Sequence, residues 1–155
     1  MSLESVRAFF AEKAPDIAVI ESPLSSATVE LAAKAYGVAP GRIAKTLSVR
    51  IGERVVLIVT SGTSRMDNRK LKGLCGAKPK MLAVEEIAEI TGHEVGGVSP
   101  FGLKSPLPIY CDVSLKAFDE VVPAAGSTHS ALRIAPSRLA DLVGAKWVDV
   151  CNDPP

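Results

Sequence analysis

Two segments rich in β-branched residues, separated by only two residues, constrain the fold of this chain more than any other sequence feature. Residues 43–51 alternate in part between apolar and polar side chains, and residues 54–60 are mostly valine, isoleucine and threonine. Gly52 and Glu53 form the short link between them, a spacing that predicts a β-hairpin. The remaining predicted elements are interleaved around this strand pair.

Helices and strands do not follow the regular order of a βαβ series. Apolar spacing and end signals predict helices over residues 3–14, 26–36, 67–74, 84–90 and 137–143, with a short one at 114–118. Short apolar runs predict strands over residues 16–20, 78–82, 107–111, 120–123, 132–135 and 146–150, with loops at 61–64, 92–106 and 124–130 and a tail at 151–155. We therefore expect a single α+β domain over residues 1–155, in which helices pack around a mixed, partly barrel-like β-sheet.

Length and composition exclude several classes of protein. A chain of 155 residues predicts one domain. With 47% hydrophobic and 23% charged residues, it has the composition of an ordinary globular protein rather than a disordered, collagen-like or coiled-coil chain. The longest strongly apolar run, residues 55–59, is far shorter than the ~18 residues that span a bilayer. Charged residues interrupt the region where a signal peptide would be apolar, so we expect a cytoplasmic protein with no membrane partner.

The cysteines and histidines give no metal-binding or disulfide pattern. Cys75, Cys111 and Cys151 are far apart and odd in number, with no CxxC pair and no nearby histidine. Buried thiols in a reducing compartment are the expected state of all three. Since the chain has only two histidines and no convincing carboxylate spacing, we expect neither a metal nor a cofactor.

The net charge of +1 hides an uneven distribution of charge along the chain. Residues 1–40 contain three basic and five acidic residues, whereas residues 65–80 contain six basic residues and one acidic residue. A local basic stretch in a neutral protein is compatible with a phosphate backbone as partner. A solvated helix face explains the same pattern, and on charge alone it is the simpler explanation.

Three features could carry chemistry, although the common phosphate-loop, dinucleotide, zinc-protease and nucleophile-elbow motifs are absent. Lys45 lies in an apolar strand, where an ammonium is costly to bury unless it is paired or used, but strand alternation also allows it to face solvent. The glycines of residues 95–102 either expose backbone N–H groups to an anion or form a structural turn. Residues 125–129 offer amide and hydroxyl donors and the imidazole of His129, although a lone loop histidine is more often a surface residue. Together these features indicate a pocket without naming its substrate.

Two short motifs are combined in an unusual way: Lys-Thr-Leu at residues 45–47 and Gly-Gly-Val-Ser-Pro-Phe-Gly at residues 96–102. Taken with the segments around them, they resemble the YbaK / prolyl-tRNA synthetase-associated editing-domain family of free-standing aminoacyl-tRNA deacylases. The resemblance extends from about residue 15 to residue 148. The other matching segments are residues 64–71, 76–78, 91–93 and 107–108, together with Asp112.

The resemblance implies hydrolysis of the ester that joins a wrong amino acid to the terminal adenosine of a tRNA. In this family the lysine matching Lys45 is the key polar residue of the pocket, and the glycines matching Gly97 and Gly126 orient the aminoacyl carbonyl through backbone amides. In some members a ribose hydroxyl of the substrate transfers the proton, so neither a catalytic triad nor a metal is expected. The candidate substrate-binding residues are Thr28, Thr46, Ser99, Ser127 and His129, and the candidates for contact with the tRNA acceptor end are Arg65, Arg69, Lys70 and Lys72.

Three positions depart from the family pattern and leave the rejected amino acid open. Relatives that remove cysteine carry a serine close to Ala124. His129 resembles a histidine of relatives that remove alanine. The helix around residues 27–30, which lines the amino-acid pocket in the family, also differs here.

The expected function is trans-editing of a mischarged tRNA, with tRNA(Pro) carrying a small wrong amino acid as the candidate substrate and an aminoacyl-tRNA synthetase as a candidate partner. An ester is already activated, so holding it beside water and stabilising the developing oxyanion can suffice for hydrolysis. A synthetase that selects by size gains only about 1–3 kcal/mol from one methylene, which makes a second, hydrolytic pocket useful. Two alternatives stay open: a protein of the same fold that binds aminoacyl-tRNA or a nucleotide without turnover, and a hydrolase of another small ester.

Overall fold

The computed structural model describes residues 2–152, apart from the side chain of Cys75. It contains five α-helices among these residues. They are α1 (Ser2–Lys13), α2 (Val29–Tyr36), α3 (Asn68–Cys75), α4 (Val84–Thr91) and α5 (Pro136–Val143). Gly37 and Gly144 end α2 and α5 in the left-handed backbone region that favours glycine, as the sequence predicts.

The strands form one mixed sheet and two small ladders. They are β1 (Ile20–Glu21), β2 (Ile43–Ile51), β3 (Arg54–Ser61), β4 (Arg65–Met66), β5 (Pro79–Met81), β6 (Ile109–Asp112), β7 (Val122–Pro123), β8 (Ser130–Ala131), β9 (Lys146–Val148) and β10 (Cys151–Asn152). The main sheet has the order β5-β2-β3-β6-β9, with β7 paired to β2. The predicted hairpin is confirmed, because β2 and β3 pair antiparallel from Ala44 opposite Ser61 to Ile51 opposite Arg54.

The sheet is mixed because later strands return to it in parallel. β6 pairs parallel to β3, β9 pairs parallel to β6, and β7 pairs parallel to β2. Single bridges join Val121 to Ile134 and Ala124 to Ala131, which links β7 to the β1–β8 ladder and carries strand pairing past the edge of the sheet. The predicted single α+β domain with a mixed sheet is therefore confirmed.

The largest hydrophobic cluster fills the space between the sheet and the helices α1 and α5. Phe10 of α1, Phe101 of the loop after α4 and Leu139 of α5 are at most 2% exposed in this cluster. A second cluster lies under α3 around Leu71, and a third packs α2 against β2 and β7. Full burial of each large apolar side chain contributes about 1.5–3 kcal/mol, so these contacts hold the helices in place on the sheet.

Three predicted elements differ from the structure. Residues 16–20 do not form a strand except at Ile20, because Asp16 lies in a turn where its carboxylate accepts hydrogen bonds of 2.6 and 2.7 Å from Arg138. The strand predicted at residues 132–135 is shifted to β8. The predicted tail contains β10, which pairs with β4, whereas residues 153–155 lie outside the described residues. A two-residue ladder has no periodicity that a sequence pattern could reveal.

The helices of residues 2–152 include none with the length and apolar character needed to cross a membrane.

Candidate functional site

A cavity of about 260 Å³ opens where one edge of β2 lacks a strand partner. On this edge β7 pairs with Ile43 and Ala44, and β5 pairs with the far end of β2 from Val49 to Ile51. The carbonyl of Ser48 accepts a 3.1 Å hydrogen bond from the N–H of Leu82. Among the described residues, no strand covers the segment 45–47 on this side, so side chains and backbone of β2 border the cavity directly.

Five chain segments build the walls of the cavity. They are β2, the start of α2 with the residues before it, the β5–α4 region, the glycine loop that follows α4, and the β7–β8 segment. Apolar side chains predominate, and Ala27, Ala32, Ala44, Ala124 and Ala131 are the smallest of them. The site is therefore an apolar chamber with a few polar groups, the usual design of a small-molecule site.

Lys45 is the one charged side chain among the described residues that line the cavity. Its Nζ donates a 2.6 Å hydrogen bond to the backbone carbonyl of Ser64. Because an ammonium has three N–H donors, two remain for a ligand. Burial lowers the pKa of Lys45, the positive charge of Arg65 lowers it further, and Glu30 acts in the opposite direction. The ammonium of this lining residue is thus half-buried and held in place by a backbone carbonyl.

Two hydroxyls of β2 add hydrogen-bonding capacity to the cavity. Thr46 Oγ1 and Ser48 Oγ are buried and have no hydrogen-bond partner within residues 2–152. Both residues line the cavity. Both hydroxyls are therefore available to hydrogen-bond a group bound in the cavity.

The glycine loop and the β7–β8 segment meet at the cavity wall, as the grouping of the sequence motifs indicates. A Cβ on Gly97 would lie 2.7 Å from the backbone N, Cα and C of Ser127, and a Cβ on Gly96 would lie 3.0 Å from Cβ of Ala27. Only glycine permits this approach of two backbones. Gly96 lines the cavity, whereas Gly97 lies outside the lining and packs against the backbone of Ser127.

Hydrogen bonds hold the β7–β8 segment to its neighbours. The N–H of Thr128 donates to Oε1 of Glu94 at 2.9 Å, and the N–H of Ser26 donates to the carbonyl of Thr128 at 2.6 Å. The hydroxyl of Ser127 shares a 2.6 Å hydrogen bond with that of Ser130, which faces the cavity. Hydrogen bonds therefore connect the segments that form the walls of the cavity.

The remaining predicted pocket residues divide into two groups. Thr28 lines the cavity and also caps α2, since its hydroxyl accepts a 3.2 Å hydrogen bond from the N–H of Leu31. Ser99, Gly126 and His129 lie outside the lining. Ser99 is fully buried and accepts a hydrogen bond from the N–H of Phe101.

Gly126 and His129 have their contacts outside the cavity lining. A Cβ on Gly126 would lie 2.6 Å from the carbonyl oxygen of Ser2, and the Ser2 hydroxyl donates to the Gly126 carbonyl. Gly126 thus anchors its loop on the start of α1. His129 is exposed, with Nδ1 3.0 Å from the hydroxyl of Thr128.

The four predicted tRNA-binding residues have different surroundings. Arg69 and Lys72 of α3 border a shallow groove together with Lys78. Lys70 instead binds Oδ1 of Asp149 at 3.1 Å and the carbonyl of Cys151 at 2.9 Å, and the Asp149 hydrogen bond raises the pKa of Lys70. Arg65 lies exposed on β4.

The two described thiols and the carboxylate of Asp112 are buried in the interior of the fold. Cys111 and Cys151 are buried, and burial raises the pKa of each thiol to about 12, which keeps both unreactive. The side chain of Cys75 lies outside the described residues. Asp112 accepts hydrogen bonds from the N–H groups of Ser114 and Val150 at 2.9 and 2.8 Å. No three described His, Cys, Asp or Glu side chains are grouped to hold a metal ion, and metal independence stays a prediction.

Sequence reasoning missed several lining residues. Ser48 follows the Lys-Thr-Leu motif, and its place on β2 could have suggested it. Ser26, Ser130, Met81 and Ile87 come from distant segments and carry no motif. Only the folded arrangement brings them to Lys45.

Comparison with known proteins places the chain in a family. The aminoacyl-tRNA editing domain matches residues 25–142. The uncharacterized protein YwhH of Bacillus subtilis (strain 168) is 48% identical over 155 residues, covering 99% of this chain and 99% of that protein. A candidate Cys-tRNA(Pro)/Cys-tRNA(Cys) deacylase, EbsC of Enterococcus faecalis (strain ATCC 700802 / V583), is 29% identical over 126 residues, covering 79% of this chain and 76% of that protein.

A solved structure has the same fold over nearly the full length. The crystal structure of a candidate trans-editing enzyme for prolyl-tRNA synthetase superposes with a TM-score of 0.90 at 33% identity, covering 98% of both chains. With an editing-domain match that includes the walls of the Lys45 cavity, this chain belongs to the aminoacyl-tRNA editing-domain family.

Proposed function

We propose that this protein is a trans-acting aminoacyl-tRNA deacylase that hydrolyses the ester between a wrong amino acid and the terminal adenosine of a tRNA. The observation that carries the proposal is Lys45, which lines an apolar cavity of about 260 Å³ and whose half-buried ammonium has two donors free. Membership of the editing-domain family supports the same reaction.

In the proposed reaction a water adds to the ester carbonyl carbon, and negative charge develops on the carbonyl oxygen. Lys45 supplies a fixed donor for that charge in a site of low dielectric, where such a donor is worth far more than in water. The bond from the carbonyl carbon to the ribose oxygen then breaks, and the ribose oxygen takes a proton. The products are a free amino acid and a tRNA with its terminal hydroxyl restored.

The proton transfer is assigned to the substrate. No imidazole or carboxylate is among the described residues that line the cavity. A ribose hydroxyl next to the ester can carry the proton from the water to the leaving oxygen, as the family resemblance implies. The protein then contributes position and charge, which can lower the barrier of an activated ester substantially.

The walls support a small amino acid as the rejected group. The cavity of about 260 Å³ has room for a compact side chain, and its alanines at positions 27, 32, 44, 124 and 131 give that side chain apolar contacts. We propose tRNA(Pro) as the tRNA, because one relative is a candidate trans-editing enzyme for prolyl-tRNA synthetase and EbsC is named for Cys-tRNA(Pro). A prolyl-tRNA synthetase would then supply the mischarged substrate in the cytoplasm.

Metal independence is part of the proposal. The polar side chains that line the cavity carry hydroxyls and an ammonium. These groups are poor ligands for the divalent metals that activate water. Dialysis against EDTA should leave deacylation within about twofold of the untreated rate, and loss of activity that Zn²⁺ or Mg²⁺ restores would contradict this part.

The decisive experiment is incubation of the protein with a panel of mischarged tRNAs, including tRNA(Pro) that carries alanine, cysteine or serine. We expect at least one ester to be cleaved far faster than in buffer. Binding of aminoacyl-tRNA without cleavage of any ester would favour the non-catalytic alternative. Cleavage of small aminoacyl esters with no preference for the tRNA-linked form would favour a hydrolase of other esters.

A further inference from the structure

A basic groove lies beside the Lys45 cavity and is separate from it. Asn68, Arg69 and Lys72 of α3 form one side, and Lys78 and Pro79 form the other. The three cations are exposed, and none of them has an ion-pair partner within residues 2–152.

The neighbouring charges leave the groove positive. Lys70 lies on the same helix but is held by Asp149 and the Cys151 carbonyl. The carboxylate of Asp67 caps α3, where Oδ1 accepts hydrogen bonds from the N–H groups of Arg69 and Lys70 at 2.8 and 3.3 Å. Exposed Arg and Lys side chains without an ion-pair partner can neutralise the backbone phosphates of a nucleic acid.

The strand β5 connects the groove to the cavity. Pro79 at its start borders the groove, and Met81 at its end lines the cavity. Two residues of strand span about 7 Å, a gap that one nucleotide of an extended single strand can bridge. Met81 is 57% exposed at this edge and offers an apolar contact for a nucleobase.

We propose that this groove, defined by Arg69, Lys72 and Lys78, binds the phosphates of the single-stranded 3′ end of the tRNA and directs its terminal adenosine past Met81 into the Lys45 cavity. The inference rests on the proposed function and deepens it by naming the contact surface. Of the predicted set it keeps Arg69 and Lys72 and adds Lys78. Lys70 is left out because its charge is paired within the fold, and Arg65 because it does not border the groove.

Charge reversal combined with a salt series tests the groove. The variants are Lys72→Glu and Lys78→Glu, and the matched control is Lys146→Glu. Lys146 lies on β9, the opposite edge of the sheet from β5 and about 19 Å away by strand spacing. The readout is binding of uncharged tRNA(Pro) between 50 and 200 mM salt, with thermal unfolding of each variant to confirm that it is folded.

Each groove variant should bind several-fold more weakly than the wild type. The slope of log K against log salt should become shallower by about 0.7 for each single-strand phosphate that the variant no longer neutralises. Lys146→Glu should bind as the wild type does. Folded groove variants that keep the wild-type affinity and salt slope would overturn the inference. If one variant does not fold, the other decides.

A second measurement separates this inference from the proposed function. The KM for a mischarged tRNA should rise in the groove variants by a larger factor than the KM for the same amino acid esterified to adenosine alone. Equal factors for the two substrates would contradict the groove. If the wild type cleaves neither ester, the proposed function fails, and the salt series on uncharged tRNA still decides whether the groove binds phosphate.

Discussion

The ammonium of Lys45 donates its hydrogen bond to the backbone carbonyl of Ser64, and not to a carboxylate. Ser64 belongs to the turn between β3 and β4, where its N–H donates to the carbonyl of Ser61 at 3.1 Å. A carbonyl fixes the direction of the ammonium without cancelling its charge. The cavity therefore keeps a positive group that is both positioned and available to a developing oxyanion.

Replacing Lys45 by Met should abolish most of the deacylation. The thioether side chain keeps much of the apolar stem and removes the charge, so kcat should fall by about 10²–10³, the usual cost of removing one preorganised donor. Lys45→Arg should recover only part of this loss, because a planar guanidinium does not occupy the position of an ammonium. Single-turnover assays on a mischarged tRNA measure both, with Lys146→Met as the control. Activity of Lys45→Met above half that of the wild type would remove Lys45 from the mechanism.

The pH dependence of stability should report the burial of Lys45. Burial lowers its pKa in the folded state below 10.5, whereas the unfolded chain titrates near 10.5. Between these two values the unfolded state binds more protons, so the free energy of unfolding of the wild type gains a contribution that grows with pH. Lys45→Met lacks this contribution.

The free energy of unfolding of Lys45→Met minus that of the wild type should therefore decrease as pH rises through this window and level off above it. Denaturant unfolding at several pH values from 7 to about 11 measures the difference. Lys146→Met provides the reference for an exposed lysine. A difference that stays constant throughout would mean that Lys45 is solvated.

Substitution of Gly97 by Ala should separate the two loops at the cavity wall. The new Cβ would lie 2.7 Å from the backbone of Ser127, and a backbone cannot move aside as a flexible side chain can. We expect a stability loss of about 1–3 kcal/mol, typical of overpacking, together with a lower kcat.

Gly73→Ala is the control for this prediction. A Cβ on Gly73 would meet no atom within 4 Å, and the residue lies inside α3, so alanine should stabilise the protein by about 0.5–1 kcal/mol. Thermal unfolding and deacylation assays compare the two variants. Wild-type stability and activity in Gly97→Ala would show that the loops tolerate separation.

Substitution of Thr46 by Val should weaken substrate binding without lowering the stability of the protein. The buried Oγ1 has no partner within the described chain, so removing it costs no internal hydrogen bond and should leave stability unchanged or raise it by up to about 1 kcal/mol. If the hydroxyl contacts the substrate, the KM for a mischarged tRNA rises.

Thr60→Val is the same change on the neighbouring strand. Thr60 lies opposite Lys45 in the β2–β3 pair, and its buried Oγ1 donates to the Ser61 carbonyl at 3.1 Å. We expect a stability loss of roughly 1 kcal/mol there. An unchanged KM in Thr46→Val would remove Thr46 from the proposed binding residues.

Local sequence signals predicted the elements that depend on a few neighbouring residues. The β2–β3 hairpin, the helix α2 capped by Gly37 and the helix α5 capped by Gly144 all follow from periodicity and capping. These signals act within about one turn or one strand pair. The sequence also singled out Lys45 as a lysine in an apolar strand, but it left open whether the ammonium faces solvent.

Tertiary structure decided the direction of that ammonium and the composition of the site. The cavity exists because β7 and β5, which come from segments about 40 residues apart, pair with opposite ends of β2 and leave its middle open. The same long-range packing turned Gly126 toward Ser2 and held Lys70 against Asp149. No local pattern encodes these outcomes, because each depends on which distant segment lies against the residue in the folded chain.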